Sequence, residues 1–159
     1  MILILLGTFK KNFARPLRAI EKAFIAGKIN EQVIVQAGHT AFQSEVLTIR
    51  TFIELDELET LYKSASLIIT HSGVGSILKG LRLNKCIIAI ARLKKFDEHV
   101  DDHQLDILQK FSEKKYLIAW NEGDDFSHVL EKARTFKSEP FIFNQGQLVQ
   151  FLDHYIENL

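Results

Sequence analysis

The sequence predicts an α/β fold, a parallel sheet with helices on both faces. Short runs rich in Ile, Leu and Val recur along the 159 residues. Several are apolar throughout rather than alternating, as strands covered on both sides are. Between them lie stretches whose apolar residues repeat at helical spacing. The length suits one domain, and residues 1–159 are read as a single unit.

Each element follows from its local pattern. Residues 2–6 read as a fully buried strand. A helix follows at 16–26, opened by Pro16 and apolar along Leu17, Ile20, Ala23, Phe24 and Ala26. Residues 32–37 and 46–52 read as strands, and 54–64 as a helix with Leu55, Leu58, Leu61 and Tyr62 inward. A short strand at 67–70 runs into His71-Ser72-Gly73-Val74-Gly75-Ser76, and a helix follows at 74–83. Next come a strand at 86–91, a charged loop at 92–100 and a helix at 101–112 built on Leu105, Ile107, Leu108 and Phe111. A strand at 116–120 and helices at 124–136 and about 146–157 complete the chain. This order predicts a Rossmann-like sheet, whose ligands bind beyond the carboxyl ends of the strands. The loops to watch are therefore Gly7-Thr8, Gly38-His39-Thr40, 71–76 and 92–104.

Composition narrows the function. Twenty basic residues balance twenty acidic ones, so no global field draws the chain to nucleic acid or anionic lipid, and no nucleic-acid partner is expected. The single Cys86 cannot form an internal disulfide; its apolar setting predicts a buried thiol and fits a reducing cytoplasm. Residues 1–6 are apolar but lack the basic start and the cleavage site of a signal peptide. No stretch is long enough to span a bilayer, so work at a membrane would need another protein as anchor. Phe13, Phe24, Phe52, Phe111, Phe136 and Trp120 are read as core or interface.

The sharpest motif is the one from His71 to Ser76. It follows a strand and opens a helix, so its free N–H groups and the helix dipole suit a phosphate or diphosphate. Gly73 and Gly75 allow close approach of a ligand, and Ser72 and Ser76 offer hydroxyls. Lys79 is wrongly placed for a Walker A loop, and the third Gly of the dinucleotide fingerprint is missing. A Gly-rich turn with a Ser cap is the competing reading. The second motif is Glu98-His99-Val100-Asp101-Asp102-His103-Gln104, on the next loop of the same crevice. Asp102, His103 and Gln104 suit sugar hydroxyls. Alternatively, Asp101 or Asp102 caps the following helix, or His99 and His103, at i and i+4, ligate a metal. Arg92, Lys94 and Lys95 make a basic loop near the phosphate site, or a merely solvated one. No nucleophilic triad is present: the Gly that precedes the Ser of a nucleophile elbow is absent before Ser72.

The order Gly7-Thr8, Gln36-Ala37-Gly38-His39, Thr70 to Ile77, and Glu98 to Gln104 resembles the C-terminal domain of glycosyltransferase family 28, in its stand-alone form. The resemblance runs from Met1 to about Phe136. Such proteins include the catalytic subunit of the two-part UDP-GlcNAc transferase of N-glycan assembly and subunits of bacterial capsular and exopolysaccharide transferases. The Leu83-Asn84-Lys85 stretch and the run from Arg92 to Gln104 give this chain a bacterial look.

The resemblance implies one half of a GT-B fold, the half that holds the nucleotide-sugar donor. It implies inverting, metal-independent transfer from a UDP-sugar to a lipid-linked saccharide, with no cofactor. A membrane-anchored acceptor-binding subunit would be a separate polypeptide and would hold this chain at the inner, cytoplasmic face of the membrane. The implied donor site comprises Gly7, Thr8, Gly38, His71, Ser72, Gly73, Val74, Gly75, Ser76, Arg92, Glu98, Asp102, His103 and Gln104. The peptidoglycan member of the family has paired Gln residues where this chain has His103 and Gln104. The general base is unassigned, with His39 and His71 as candidates. Two positions depart from the pattern. Relatives often carry Phe-Asp-Arg where this chain has Phe13-Ala14-Arg15, and an acidic residue where it has Lys79. These departures keep a second reading open, that of a non-catalytic accessory subunit. A third reading, a metal-dependent hydrolase, would rest on His99 and His103. Candidates for an apolar partner surface are the 141–143 loop and the C-terminal helix, with Leu148, Phe151, Leu152, Tyr155 and Ile156, for which packing on the chain's own sheet is the competing reading.

Overall fold

A computed structural model of the chain describes residues 1–142. The helix expected at about 146–157, and Phe143 with it, lie outside the described residues. The elements run β1 (Ile2–Leu5), α1 (Arg15–Ile25), β2 (Val33–Gln36), β3 (Thr48–Arg50), α2 (Leu55–Ser64), β4 (Leu67–His71), α3 (Val74–Arg82), β5 (Cys86–Ile90), α4 (His103–Glu113), β6 (Ile118–Ala119) and α5 (Phe126–Thr135). A 3-10 turn at Lys94–Phe96 breaks the loop after β5.

The six strands pair in the order β3-β2-β1-β4-β5-β6, and every pairing is parallel. In register, Ile4 lies between Val35 and Ile69, and Thr70 faces Ala89. Successive residues of a strand point to opposite faces, so each strand feeds two cores. Ile2, Ile4, Val33, Val35, Ile69, Ile88 and Ile90 pack under Leu17 and Ile20 of α1 and Val129 and Leu130 of α5. Leu3, Leu5, Ile68, Ile87 and Ala89 face Tyr62 of α2, Ile77 and Leu81 of α3 and Ile107 and Leu108 of α4. Burial on both faces explains the unbroken apolar runs of β1, β4 and β5.

Some expected details differ. Leu55 begins α2 with its side chain 78% exposed, and Phe52 is 51% exposed beside it. Both precede the point where α2 meets the sheet, so helical spacing alone overstated the apolar face. The expected buried thiol is only half covered, with Cys86 Sγ 3.8 Å from the carbonyl of Ala133. Burial still raises the pKa of that thiol, which keeps it protonated and unreactive. Phe141 folds back onto Phe111 and Tyr116, at ring distances of 6.4 and 5.0 Å, so it serves this chain's own core. Among the described residues no helix is long and apolar enough to cross a membrane.

Ile4 is fully buried in the central strand, so Ile4→Ala should lower the unfolding free energy by about 3 kcal/mol. The expected reading is a lower urea midpoint with an unchanged slope.

Candidate functional site

The strand order reverses between β1 and β4, which places a crevice at their carboxyl ends. Three loops close on one another at its floor. Gly7 follows β1 with φ +77° and Gly38 follows β2 with φ +58°, a region that glycine enters freely. A Cβ on Gly38 would lie 2.2 Å from the carbonyl oxygen of Gly7, so these two turns require glycine. The His71 imidazole, at the end of β4, occupies the space beside Gly7 and Gly73. A Cβ on either would come within 2.7 and 2.2 Å of its Nε2. The backbone of the glycine loop is thus set by a side chain from the adjoining strand.

His71 Nδ1 lies 3.4 Å from the Leu5 carbonyl, which also accepts from Thr70 Oγ1 at 3.1 Å. Burial, and then the charge of Arg92, lower the pKa of this imidazole to about 4. It stays neutral at physiological pH and is too weakly basic to be an efficient general base there. His39 lies on the exposed rim, edge-on to Phe52 at 5.6 Å. Thr8 is exposed at the tip of its loop.

The N-terminus of α3 opens toward the crevice. Gly73 is its N-cap in extended conformation and no side chain caps it, leaving its first N–H groups without intrahelical partners. A Cβ on Gly75 would meet nothing within 4 Å. Gly73 therefore serves packing and Gly75 serves access. Val74 packs against the core beneath. Ser76 is half-buried, and its carbonyl lies 3.5 Å from Tyr62 Oη. Ser72 is wholly buried, with its hydroxyl unpartnered among the described residues.

Arg92 corrects the picture of a basic loop at the phosphate site. Its side chain is 0% exposed. Its Nη2 donates to the Leu6 carbonyl at 2.7 Å, and Nη1 to those of Lys11 at 2.9 Å and Glu98 at 3.1 Å. The guanidinium lies over the Phe13 ring at 4.6 Å. Desolvation lowers its pKa to about 10, with Glu98 acting in the opposite direction, so it remains charged at neutral pH. Glu98 is also buried; it receives two hydrogen bonds from Arg15, at 2.9 and 2.7 Å, and one from the Leu93 amide at 3.0 Å. Gln104 is buried as well, with its Oε1 accepting from the Arg92 amide at 3.0 Å. These three residues frame the crevice and hold the loops that border it.

Asp102 faces solvent and accepts from the Lys94 amide at 2.8 Å. Asp102 is the N-cap of α4 but makes no side-chain capping bond, while Asp101 before it accepts from the His103 amide at 3.2 Å. The Asp101 carboxylate also meets Nδ1 of His103. His99 stacks on Phe9 with ring centres 4.4 Å apart. Pattern reading missed the structural parts of Arg15 and Phe9, because both depend on contacts between distant loops.

Both departures from the family pattern have local explanations. Ala14 occupies the N-cap of α1, which has no side-chain cap. Lys79 pairs with Glu59 at 2.7 Å and lies over the Tyr62 ring at 4.8 Å, joining α3 to α2.

Sheet order, crevice and uncapped helix define a Rossmann-like domain with a helix N-terminus open at its switch point. The profile of the glycosyltransferase family 28 C-terminal domain matches residues 1–152, and the chain belongs to that family. Curated relatives include the UDP-N-acetylglucosamine transferase subunit ALG13 of Candida albicans, 33% identical over 53% of this chain and 27% of that protein. The subunit of the same name from Saccharomyces cerevisiae is 43% identical over 48% of this chain and 37% of its own length. The matched part of this chain thus spans well under half of either relative. Among solved structures, the kitacinnamycin glycotransferase superposes with a TM-score of 0.61 at 14% identity, covering 83% of this chain and 33% of that one. SnogD from Streptomyces nogalater superposes with a TM-score of 0.51 at 14% identity, covering 86% and 40%. These likenesses establish the fold.

Two tests address the frame. Glu98→Gln leaves Arg15 without its buried counter-charge and should cost about 3 kcal/mol of stability, read from urea unfolding. His71 generates a pH dependence. Its folded pKa of about 4 lies below the ordinary 6.5, so the unfolded chain binds more protons between those values. The contribution is complete above pH 6.5 and declines as pH falls toward 4. It amounts to about 3 kcal/mol at most. His71→Asn should flatten the stability-against-pH curve across that window relative to the unmodified chain.

Proposed function

We propose that this chain is the donor-binding, catalytic half of an inverting glycosyltransferase assembled from two polypeptides, using a UDP-sugar. The observation that carries this reading is the open N-terminus of α3 at the switch point, with Gly75 facing empty space, in a chain of glycosyltransferase family 28. Free N–H groups and the positive end of the helix dipole would receive the diphosphate and stabilise it as it departs with UDP. His103, beside that crevice, would meet the donor sugar. The charge on the leaving group is met by the helix, so transfer is expected to be metal-independent and to need no cofactor.

The acceptor in this reading is a lipid-linked saccharide of cell-surface polysaccharide assembly, held by a membrane-anchored partner subunit. That partner would keep this chain at the cytoplasmic face of the membrane. The curated relatives carry the word subunit in their names, which supports a two-chain enzyme. They are named for N-acetylglucosamine, so UDP-N-acetylglucosamine is the first donor to test, followed by UDP-galactose and UDP-glucuronic acid. The general base would come from the partner or from the rim, where His39 is exposed. One observation favours a second reading, an accessory subunit without catalysis. Lys79, at the place of an acidic residue in relatives, is committed to Glu59 and offers ribose no carboxylate.

Gly75→Asp separates these readings. Its side chain enters open space, and a carboxylate at a helix N-terminus favours the helix, so the melting temperature should hold or rise slightly. The same carboxylate would repel a diphosphate. UDP binding and sugar transfer by the co-expressed pair should both fall at least about tenfold, and His103→Ala should lower transfer too. EDTA should leave transfer intact. Transfer at full rate from a pair carrying both substitutions would make this chain an accessory subunit.

A further inference from the structure

Two imidazoles and a carboxylate converge on the loop that joins β5 to α4. His99 Nδ1 lies 3.2 Å from Asp101 Oδ1, and His103 Nδ1 approaches the same oxygen. One potential ligand atom from each residue falls within 4.8 Å of the other two. The arrangement is held in place. His99 is nine-tenths buried, stacked on Phe9 at 4.4 Å and edge-on to the His103 ring at 4.6 Å. Asp101 is fixed by the His103 amide at the start of α4. The Asp101 side chain is 48% exposed, so the cluster can be reached from solvent.

The contacts of the cluster are hydrogen bonds and ion pairs, and its atom types are also those of a metal site. Two ligands on one tetrahedral zinc, at bonds of about 2.0–2.1 Å, lie about 3.3 Å apart, close to the separation of His99 and Asp101. Two imidazoles and one carboxylate form the ligand set of open zinc sites, with the remaining position left to water.

We propose that His99, Asp101 and His103 form a binding site for one divalent transition-metal cation of the zinc type. The site is independent of the donor reading. One consequence does rest on that reading: a cation that engages His103 withdraws it from the donor sugar and weakens donor binding.

The test titrates the whole chain with Co2+ as a coloured substitute for zinc. Expected is a visible d–d band that saturates at one Co2+ per chain and is abolished by Zn2+. Asp101→Asn and His103→Gln should weaken Co2+ binding at least about tenfold, while His39→Gln leaves it unchanged. His99→Gln should behave like the other two; should it fail to fold, the more accessible Asp101 and His103 carry the test. Absence of the band, or a band of equal affinity in Asp101→Asn and His103→Gln, overturns the site. UDP-sugar affinity with and without Zn2+ forms a separate arm, expected to fall several-fold in the unmodified chain. Unchanged affinity beside intact Co2+ binding overturns the consequence for the donor. Absence of UDP-sugar binding beside intact Co2+ binding counts against the donor reading and leaves the metal site standing.

Discussion

The rim of this domain depends on the buried cation of Arg92. A guanidinium inside a protein is tolerable only where its N–H groups meet acceptors. Here the acceptors of the two Nη groups are carbonyls from three places, the end of β1, the loop before α1 and the loop after β5, while the buried Nε has no acceptor among the described residues. Neutral carbonyls do not balance a charge, and the carboxylate of Glu98 lies nearby to do so, itself held by Arg15 and the Leu93 amide. Gln104 receives the Arg92 amide and joins the start of α4 to the same knot. One charged network thereby sets the height and direction of two loops at the crevice.

A second constraint, steric rather than electrostatic, shapes the crevice floor. Gly38 presses on the Gly7 carbonyl, and the His71 ring fills the gap between Gly7 and Gly73. Three consecutive turns of the crevice are therefore interdependent. The half-buried imidazole stays neutral, so it adds no positive charge of its own beneath the helix N-terminus. In the proposed reading the attraction for an anion comes from the backbone of α3 and requires no unpaired cation at the opening. In that reading, this is how a chain with zero formal charge would receive a diphosphate.

The two departures from the family pattern differ in kind. Ala14 removes a possible helix cap from α1, a local matter of helix ends. Lys79 replaces one sign of charge by the other, and Glu59 of α2 absorbs the change through an ion pair. The helix that bears the glycine loop is thus fastened at its outer face to α2, while its N-terminus stays clear.

The strands, the helices and the glycine loop were legible in the sequence because each is a local pattern. Apolar runs such as residues 67–70 mark strands covered on both faces, and the glycines after them mark the turns. Leu55 was misjudged because spacing describes a helix face without saying where that helix meets the sheet. The identities of the crevice residues were legible too, while their orientations were not. Arg92, Glu98 and Gln104 read as polar residues on an exposed loop, and the structure turns all three inward. Gly73 and Gly75 look equivalent in sequence, yet His71 crowds one and empty space faces the other. By itself the sequence determined the fold class, the order of the elements and the end of the sheet where the candidate site lies, since these follow from periodicity and chain order. Only the tertiary structure decided which polar residues frame the site and which face it. That choice depends on residues up to 86 positions apart, such as Leu6 and Arg92, whose mutual burial no local pattern encodes.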